Sequence, residues 1–134
     1  MRHTGFGVMA AVFLACLCAT PAWAHHSFSA AFDAGQPITI HGTITEVRLE
    51  NPHSWFFLDA KDADGKLVKW SFEASTPTSL IRNGIRPGFV KKGDEVTIHG
   101  WHARDASQNA GAARDLVMAD GRSFLIGPTV APAR

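Results

Sequence analysis

Two adjacent histidines, His25 and His26, are the residues whose type and position most clearly suggest chemistry. They directly follow Ala22-Trp23-Ala24, whose small residues form the A-x-A pattern that signal peptidase recognises. Cleavage after Ala24 makes His25 the first residue of the mature chain, where its α-amine and its imidazole Nδ1 can bind one metal ion together. Because tetragonal sites of nitrogen ligands favour Cu(II), the position of His25 predicts a copper site.

The other histidines supply candidates for a third ligand. His26 offers an alternative set, in which the amine, a backbone amide nitrogen and its own imidazole surround the metal. His53 is the first candidate for the third ligand. Weaker candidates, which depend on the N-terminal arm folding back over them, are His41, His99 and His102. Imidazole is the commonest metal ligand, so copper or zinc is the expected metal. The competing interpretation is that these histidines are merely polar residues beside a cleavage site and a turn.

The first 24 residues have the organisation of a secretory signal peptide. Arg2 precedes an apolar run from Phe6 to Ala19, which is shorter than the about 20 residues of a transmembrane span. Removing 24 of 134 residues leaves 110, enough for one ordinary domain. Both cysteines, Cys16 and Cys18, lie in the removed segment, so the mature chain has neither a disulfide nor a thiolate ligand. We expect a periplasmic or secreted protein without a transmembrane segment after processing.

The charge balance of the mature chain argues against polyanionic partners. Cleavage removes Arg2 from the 13 basic residues, which leaves 12 against 12 acidic residues. A neutral domain lacks the positive surface that binds a phosphate backbone, so nucleic acid is an unexpected partner. A small ligand, a metal ion or another exported protein is expected instead.

Alternating apolar and polar residues predict an all-β domain with one short helix. The predicted strands cover 38–49, 54–59, 67–73 and 94–102, a hairpin covers 116–126, and the helix covers 75–84. The first strand needs a bulge at Thr45-Glu46 or a bend at Gly42 to keep both halves of its apolar pattern on the core. The order β-β-β-α-β-β is that of a five-stranded OB-fold barrel.

Four segments follow from this pattern: a signal peptide at 1–24, an N-terminal arm at 25–37, an OB-like barrel at 38–127 and a tail at 128–134. The arm carries Phe28 and Phe32, which we expect to hold it against the barrel. The tetrapeptide Thr39–Gly42 recurs as Thr97–Gly100, and the first and fourth strands of an OB-fold are neighbours. We interpret the repeat as the same glycine bend used by two adjacent strands.

Aromatic residues suggest a second kind of site, which binds a small ligand or an oligosaccharide. OB-folds bind such ligands on aromatic surfaces. Trp101 faces away from the apolar residues of its strand and is the best candidate for an exposed platform, with His102 and Trp55 as weaker candidates. Trp70 is interpreted mainly as a core residue. No nucleophile elbow, H-E-x-x-H motif or phosphate-binding glycine loop occurs, so the sequence gives no catalytic residues and does not favour an enzyme.

The mature chain resembles a family of short exported bacterial proteins that is described as a domain of unknown function. The matching residues are His25–Phe28, His41–Thr43, Asn51–Trp55, Pro77–Gly84, Lys92–Val96, Arg104-Asp105, Ala113-Arg114 and Asp120–Arg122. The resemblance implies export and a small barrel, and it implies no catalytic residues. The sequence therefore predicts a periplasmic binding or accessory domain whose His-bearing arm holds copper. The alternatives are a small-ligand or oligosaccharide binder and a structural subunit of a larger exported enzyme.

Overall fold

The structure, a computed structural model, describes residues 28–128. Within this range the chain forms six strands and two helices. In chain order these are α1 Phe28–Ala31, β1 Phe32–Arg48, β2 Trp55–Lys61, β3 Leu67–Glu73, α2 Pro77–Arg82, β4 Glu95–Ala103, β5 Ala110–Met118 and β6 Ser123–Leu125. The predicted signal peptide, His25, His26 and most of the predicted tail lie outside the described residues.

Five of the strands close into a barrel. β1 pairs antiparallel with β2 and with β4, β2 pairs with β3, and β4 pairs with β5. A parallel pairing of β3 with β5 completes the ring. With α2 between β3 and β4, this is the OB-fold topology, and the predicted fold class is confirmed. The short strand β6 is an addition that pairs with β5 outside the ring.

The first strand is longer than the sequence pattern indicates. It begins at Phe32 rather than Ile38, because residues 32–37 join β4 through a shifted register that has no alternating pattern. Between Ile44 and Glu46 the pairing with β2 shifts by one residue, which is the predicted bulge. β5 likewise begins at Ala110, before the start of the hairpin predicted at 116–126.

The repeated tetrapeptides lie side by side, with Ile40 opposite Ile98 at their centre. Both glycines are sites of close backbone approach. A Cβ at Gly42 would lie 2.4 Å from the Asp59 carbonyl oxygen, and one at Gly100 would lie 2.0 Å from that of Ala112. The repeat therefore reflects barrel curvature, as predicted.

The barrel interior is apolar and α2 closes one end of it. Fully buried side chains include Ile44, Phe56, Phe72, Ile98 and Leu116. The helix contributes Leu80, which is also fully buried. Thr76 caps the helix by accepting a hydrogen bond from the Ser79 amide at 3.3 Å, and Pro77 follows at the first helical position. The core therefore fixes the strands whose outer faces carry the candidate site.

Candidate metal-binding and ligand-binding surface

The N-terminal arm packs on the outside of the barrel over Trp101. The Phe28 ring lies 5.5 Å from the Trp101 ring in an edge-to-face arrangement and 5.3 Å from the Phe32 ring. These residues form a small apolar cluster with Ala103 and Ala112, separate from the main core. The prediction that the two phenylalanines hold the arm against the body is therefore confirmed.

Trp101 is not an exposed platform, and that prediction is wrong. The side chain does point away from the main core, but only 8% of its surface is exposed because Phe28 and Phe32 cover it. The chain thus uses this outer aromatic surface to anchor its own arm. A ligand that stacks on Trp101 would first have to displace the arm.

Arg104 adds a polar attachment at the same place. Its backbone amide donates to the Ala31 carbonyl at 2.9 Å, and its Nε donates to the Ser29 carbonyl at 2.9 Å. The Phe28–Ala31 helix is therefore held by ring packing on one side and by hydrogen bonds on the other. This places the point where the described chain begins beside the end of β4.

A row of paired residues crosses the outer face of the barrel from Trp101. Trp101 pairs with Ala112 on β5, Ala112 pairs with Glu73 on β3, and Glu73 pairs with Trp55 on β2. Residues paired in this way point their side chains to the same face of a sheet. Glu73 therefore lies on the same outer surface as Trp101, two strand spacings or about 10 Å away.

His53 lies at this row because its Nδ1 forms a short ion-pair contact with Glu73. The imidazole is about half exposed, at 51%, whereas 23% of the Glu73 side chain is exposed. An Nδ1–H that donates to a carboxylate leaves Nε2 as a lone-pair donor. Metal-binding histidines usually have such a carboxylate on their second nitrogen, which fixes the tautomer and the ring orientation. His53 thus has one feature that metal-binding histidines commonly have, a carboxylate at the second ring nitrogen.

His99 forms a second histidine–carboxylate pair on another part of the outer face. Its Nδ1 donates to Asp115 at 2.5 Å, and the Arg114 Nε donates to the other oxygen at 2.7 Å. Burial raises the pKa of Asp115, but the hydrogen bonds from His99 and Arg114 outweigh it and hold that pKa below its usual value. His41 is exposed and shares a 3.1 Å hydrogen bond with the Thr97 hydroxyl. His99 lies two residues before Trp101 on the same face of β4, and His41 lies opposite Thr97.

His102 lies on the opposite face of β4 from Trp101. It pairs with Gly111, whose position faces Phe72 inside the barrel. Its Nδ1 donates to the Ala103 carbonyl at 2.7 Å, and its ring meets the Trp70 ring edge-to-face at 5.5 Å. The structure therefore does not bring His102 and Trp101 together into one ligand site.

Trp55 lies on an aromatic surface that the sequence analysis did not identify as a unit. The Trp55 and Phe57 rings lie 6.4 Å apart with only 22° between their planes. The Arg48 guanidinium lies 4.7 Å from the Phe57 centroid, and Glu46 accepts from Arg48 at 2.6 and 3.1 Å. The spacing of Trp55 and Phe57, two residues apart on one strand, was the signal that could have found this pair.

Within residues 28–128 the structure has no cluster of three or more histidine, cysteine or carboxylate side chains that would hold a metal ion. The predicted copper site takes its first ligands from His25 or His26, which precede that range. In the same range no helix is both long enough and apolar enough to span a bilayer.

The model of a family of unknown function (DUF6152) matches residues 12–112. The chain belongs to this family. The match covers the arm and the barrel through the start of β5, and it confirms the resemblance seen in the sequence. Membership in this family and the OB-like fold fit a binding or accessory domain. The family itself has no known function from which an activity could be inferred.

Among curated proteins no match to the chain is found. One solved structure that is similar is the mitochondrial single-stranded DNA binding protein Rim1 of S. cerevisiae. It is 14% identical, the similarity covers 72% of this chain and 98% of the yeast protein, and the TM-score is 0.47. The DNA binding that this name states is a property of the yeast protein. The OB-fold assignment given above rests on the strand pairings of this chain.

Proposed function

We propose that this protein is an exported binding domain that holds one Cu(II) ion between the processed N-terminus and His53. The α-amine and the imidazole Nδ1 of His25 supply two nitrogens, and Nε2 of His53 supplies the third. The observation that carries this proposal is the row Trp101–Ala112–Glu73 on the outer face. One end of that row anchors the arm and the other end holds His53.

The lengths involved are compatible with this arrangement. His25 lies three residues before Phe28, and three residues span at most about 10 Å. The Phe28 ring lies 5.5 Å from the Trp101 ring, and Glu73 lies about 10 Å from Trp101 across two strand spacings. The imidazole of His53 contacts Glu73 and is half exposed. If the arm is directed from Phe28 across β5 toward β3, its backbone together with the His25 side chain would reach His53 while Phe28 stays packed on Trp101.

The donor set explains the choice of metal. Three nitrogens in a T-shaped arrangement leave one equatorial position for water, which suits the tetragonal preference of Cu(II). The α-amine has an ordinary pKa near 8, so loss of its proton to the metal at neutral pH is inexpensive. Copper affinity should rise with pH until the amine no longer needs to lose a proton.

The test is a Cu(II) titration of the chain that begins at His25 against the same chain with its α-amine acetylated. Mass spectrometry first verifies both N-termini. Blocking the α-amine should weaken binding at least about a hundredfold, because the chelate ring with Nδ1 is lost. Equal affinities, or export of a chain that begins elsewhere than at residue 25, would contradict the proposal.

A second candidate function is binding of a small neutral ligand such as an oligosaccharide on the Trp55–Phe57 surface. Nearly parallel rings bordered by Arg48 and Glu46 provide an apolar floor with polar groups at its edge. Tryptophan fluorescence during titration with oligosaccharides, compared between the wild type and Trp55→Ala, tests this function. A ligand that binds here should bind equally well to the chain with an acetylated N-terminus.

A further inference from the structure

A groove lies between the end of β1 and the loop that follows α2, far along the strand from the arm. Its volume is about 620 Å³, within the size range of small-molecule sites. We refer to it as the loop groove, and define it by its floor residues Val47, Leu49, Ile85 and Val90 together with three basic residues at its edge.

The floor of the loop groove is apolar and continuous with the barrel core. Ile85 and Val90 are nearly fully buried, at 1% and 4% exposed. Val47 and Leu49 are half-buried and pack against the same core while they line the groove. Apolar surface of this kind favours a ligand with a hydrocarbon body, because covering it removes more apolar area from water.

The edge of the loop groove is positively charged. Arg86, Lys91 and Lys92 line it, and Lys91 forms a 3.0 Å ion pair with Asp94. Within residues 28–128, Arg86 and Lys92 have no carboxylate partner. The single carboxylate among the lining residues, Glu46, already accepts two hydrogen bonds from Arg48. Two cations therefore remain available to an anionic group.

Hydrogen bonds hold the backbone around the loop groove in place, so the groove exists before a ligand binds. The Ile44 amide donates to the Asp94 carbonyl at 2.9 Å, and the Gly93 amide donates to the Ile44 carbonyl at 2.8 Å. Asp94 also accepts a hydrogen bond from the Lys91 amide at 3.0 Å. These contacts join the loop to β1, so a ligand meets a preformed site and loses less free energy to ordering.

We propose that the loop groove binds a medium-chain fatty-acid-type carboxylate, with the hydrocarbon chain on the Val47–Leu49 floor and the carboxylate on Arg86 and Lys92. Arginine matches the two oxygens of a carboxylate, and lysine adds a point charge beside it. The chain as a whole has 13 basic and 12 acidic residues, so the local excess of positive charge at the loop groove decides the ligand class. This site is independent of the N-terminal arm.

The probe is decanoate below its micelle concentration, titrated calorimetrically into the full chain. Methyl NMR signals of Val47, Leu49 and Val90 report where it binds. The double variant Arg86→Gln/Lys92→Gln should lower affinity about tenfold, because charge-assisted hydrogen bonds to the carboxylate are lost. The matched control Lys61→Gln/Lys66→Gln removes two exposed lysines, one at the end of β2 and one in the loop before β3, and should bind decanoate as the wild type does.

Two further ligands test the contributions of the hydrocarbon chain and of the carboxylate separately. Butyrate has the carboxylate but not the long hydrocarbon chain, whereas decyl glucoside has the long hydrocarbon chain but no charge. Both should bind at least about tenfold more weakly than decanoate. The proposal is overturned if decanoate does not bind, if it binds both double variants equally, or if decyl glucoside binds as tightly. Association with anionic phospholipid vesicles in the absence of decanoate binding would also overturn it.

Discussion

The two histidine–carboxylate pairs of the barrel share a contact through Nδ1 and have very different surroundings. His53 and His99 each contact a carboxylate through Nδ1, which leaves Nε2 unoccupied by that contact. Asp115 is shared between His99 and Arg114, so the second pair belongs to a surface ion-pair network. No cationic side chain other than His53 forms an ion pair with Glu73 in the part of the chain that the structure describes.

The difference teaches that the histidine–carboxylate contact alone does not define a metal ligand. His99 is the more enclosed imidazole, at 33% exposed against 51% for His53. His99 is also close to Trp101 along β4, but its Asp115 is shared with Arg114, whereas Glu73 of the His53 pair has no other ion pair within residues 28–128. The charge of Glu73, which is not shared with a second cation, should decide which histidine binds copper.

The largest expected effect comes from removing the two imidazoles separately. His53→Ala should lower the Cu(II) affinity of the processed chain about a hundredfold, because one of three nitrogen donors is lost. His99→Ala should leave the affinity unchanged. Competition titration against a chelator of known affinity measures both, and an equal loss in the two variants would break the comparison.

Substituting the carboxylate partners of the two histidines should also affect Cu(II) affinity differently, but by less than removing the imidazoles does. Glu73→Gln keeps an acceptor for the His53 Nδ1–H but removes its charge, and should lower Cu(II) affinity about tenfold. Asp115→Asn should not change it. The same chelator competition applies, with circular dichroism to verify that both variants are folded. A copper effect at Asp115 would mean that the second pair has been assigned wrongly.

Loosening the arm should weaken copper binding without unfolding the barrel. Phe28→Ala removes the ring that packs on Trp101, so the arm samples more positions and its effective concentration near His53 falls. We expect Cu(II) affinity to fall about fivefold. Leu67→Ala, at an exposed position of β3 remote from the arm, is the matched control. Unchanged affinity in Phe28→Ala would show that the arm does not position the amine.

The smallest effect concerns stability at the His99 pair. The pKa of Asp115 is lowered in the folded state, so its contribution is present at neutral pH and is lost as the pH falls through that lowered value. Asp115→Asn should cost about 1 kcal/mol of unfolding free energy at pH 7 and nearly nothing near pH 2. Urea unfolding at both pH values measures this, and a cost independent of pH would contradict it.

Much of the barrel could be predicted from the sequence because its signals are local. Alternation defined the central strands, Pro77 and Thr76 marked the helix, and the apolar parity change located the bulge near Thr45. The start of β1 could not be predicted in this way. Residues 32–37 contain turn-type residues and join the sheet only through pairing with β4, more than 60 residues further on.

The candidate site was less predictable because it depends on contacts between distant residues. The alternation of residues along the strand correctly predicted that Trp101 points away from the core. Only the fold shows that Phe28 covers it. The contact of His53 with Glu73 requires the register of β2 and β3, in which Trp55 lies opposite Glu73. Sequence spacing identified His53 as a candidate and could not supply its partner.

Pulsed electron paramagnetic resonance of the Cu(II)-loaded, processed chain tests the central claim most directly, because it counts the imidazoles whose remote nitrogens couple to copper. We expect two coupled imidazoles in the wild type and in His99→Ala, and one in His53→Ala. Two coupled imidazoles in His53→Ala, or one in the wild type, would contradict a copper site shared by the N-terminus and His53.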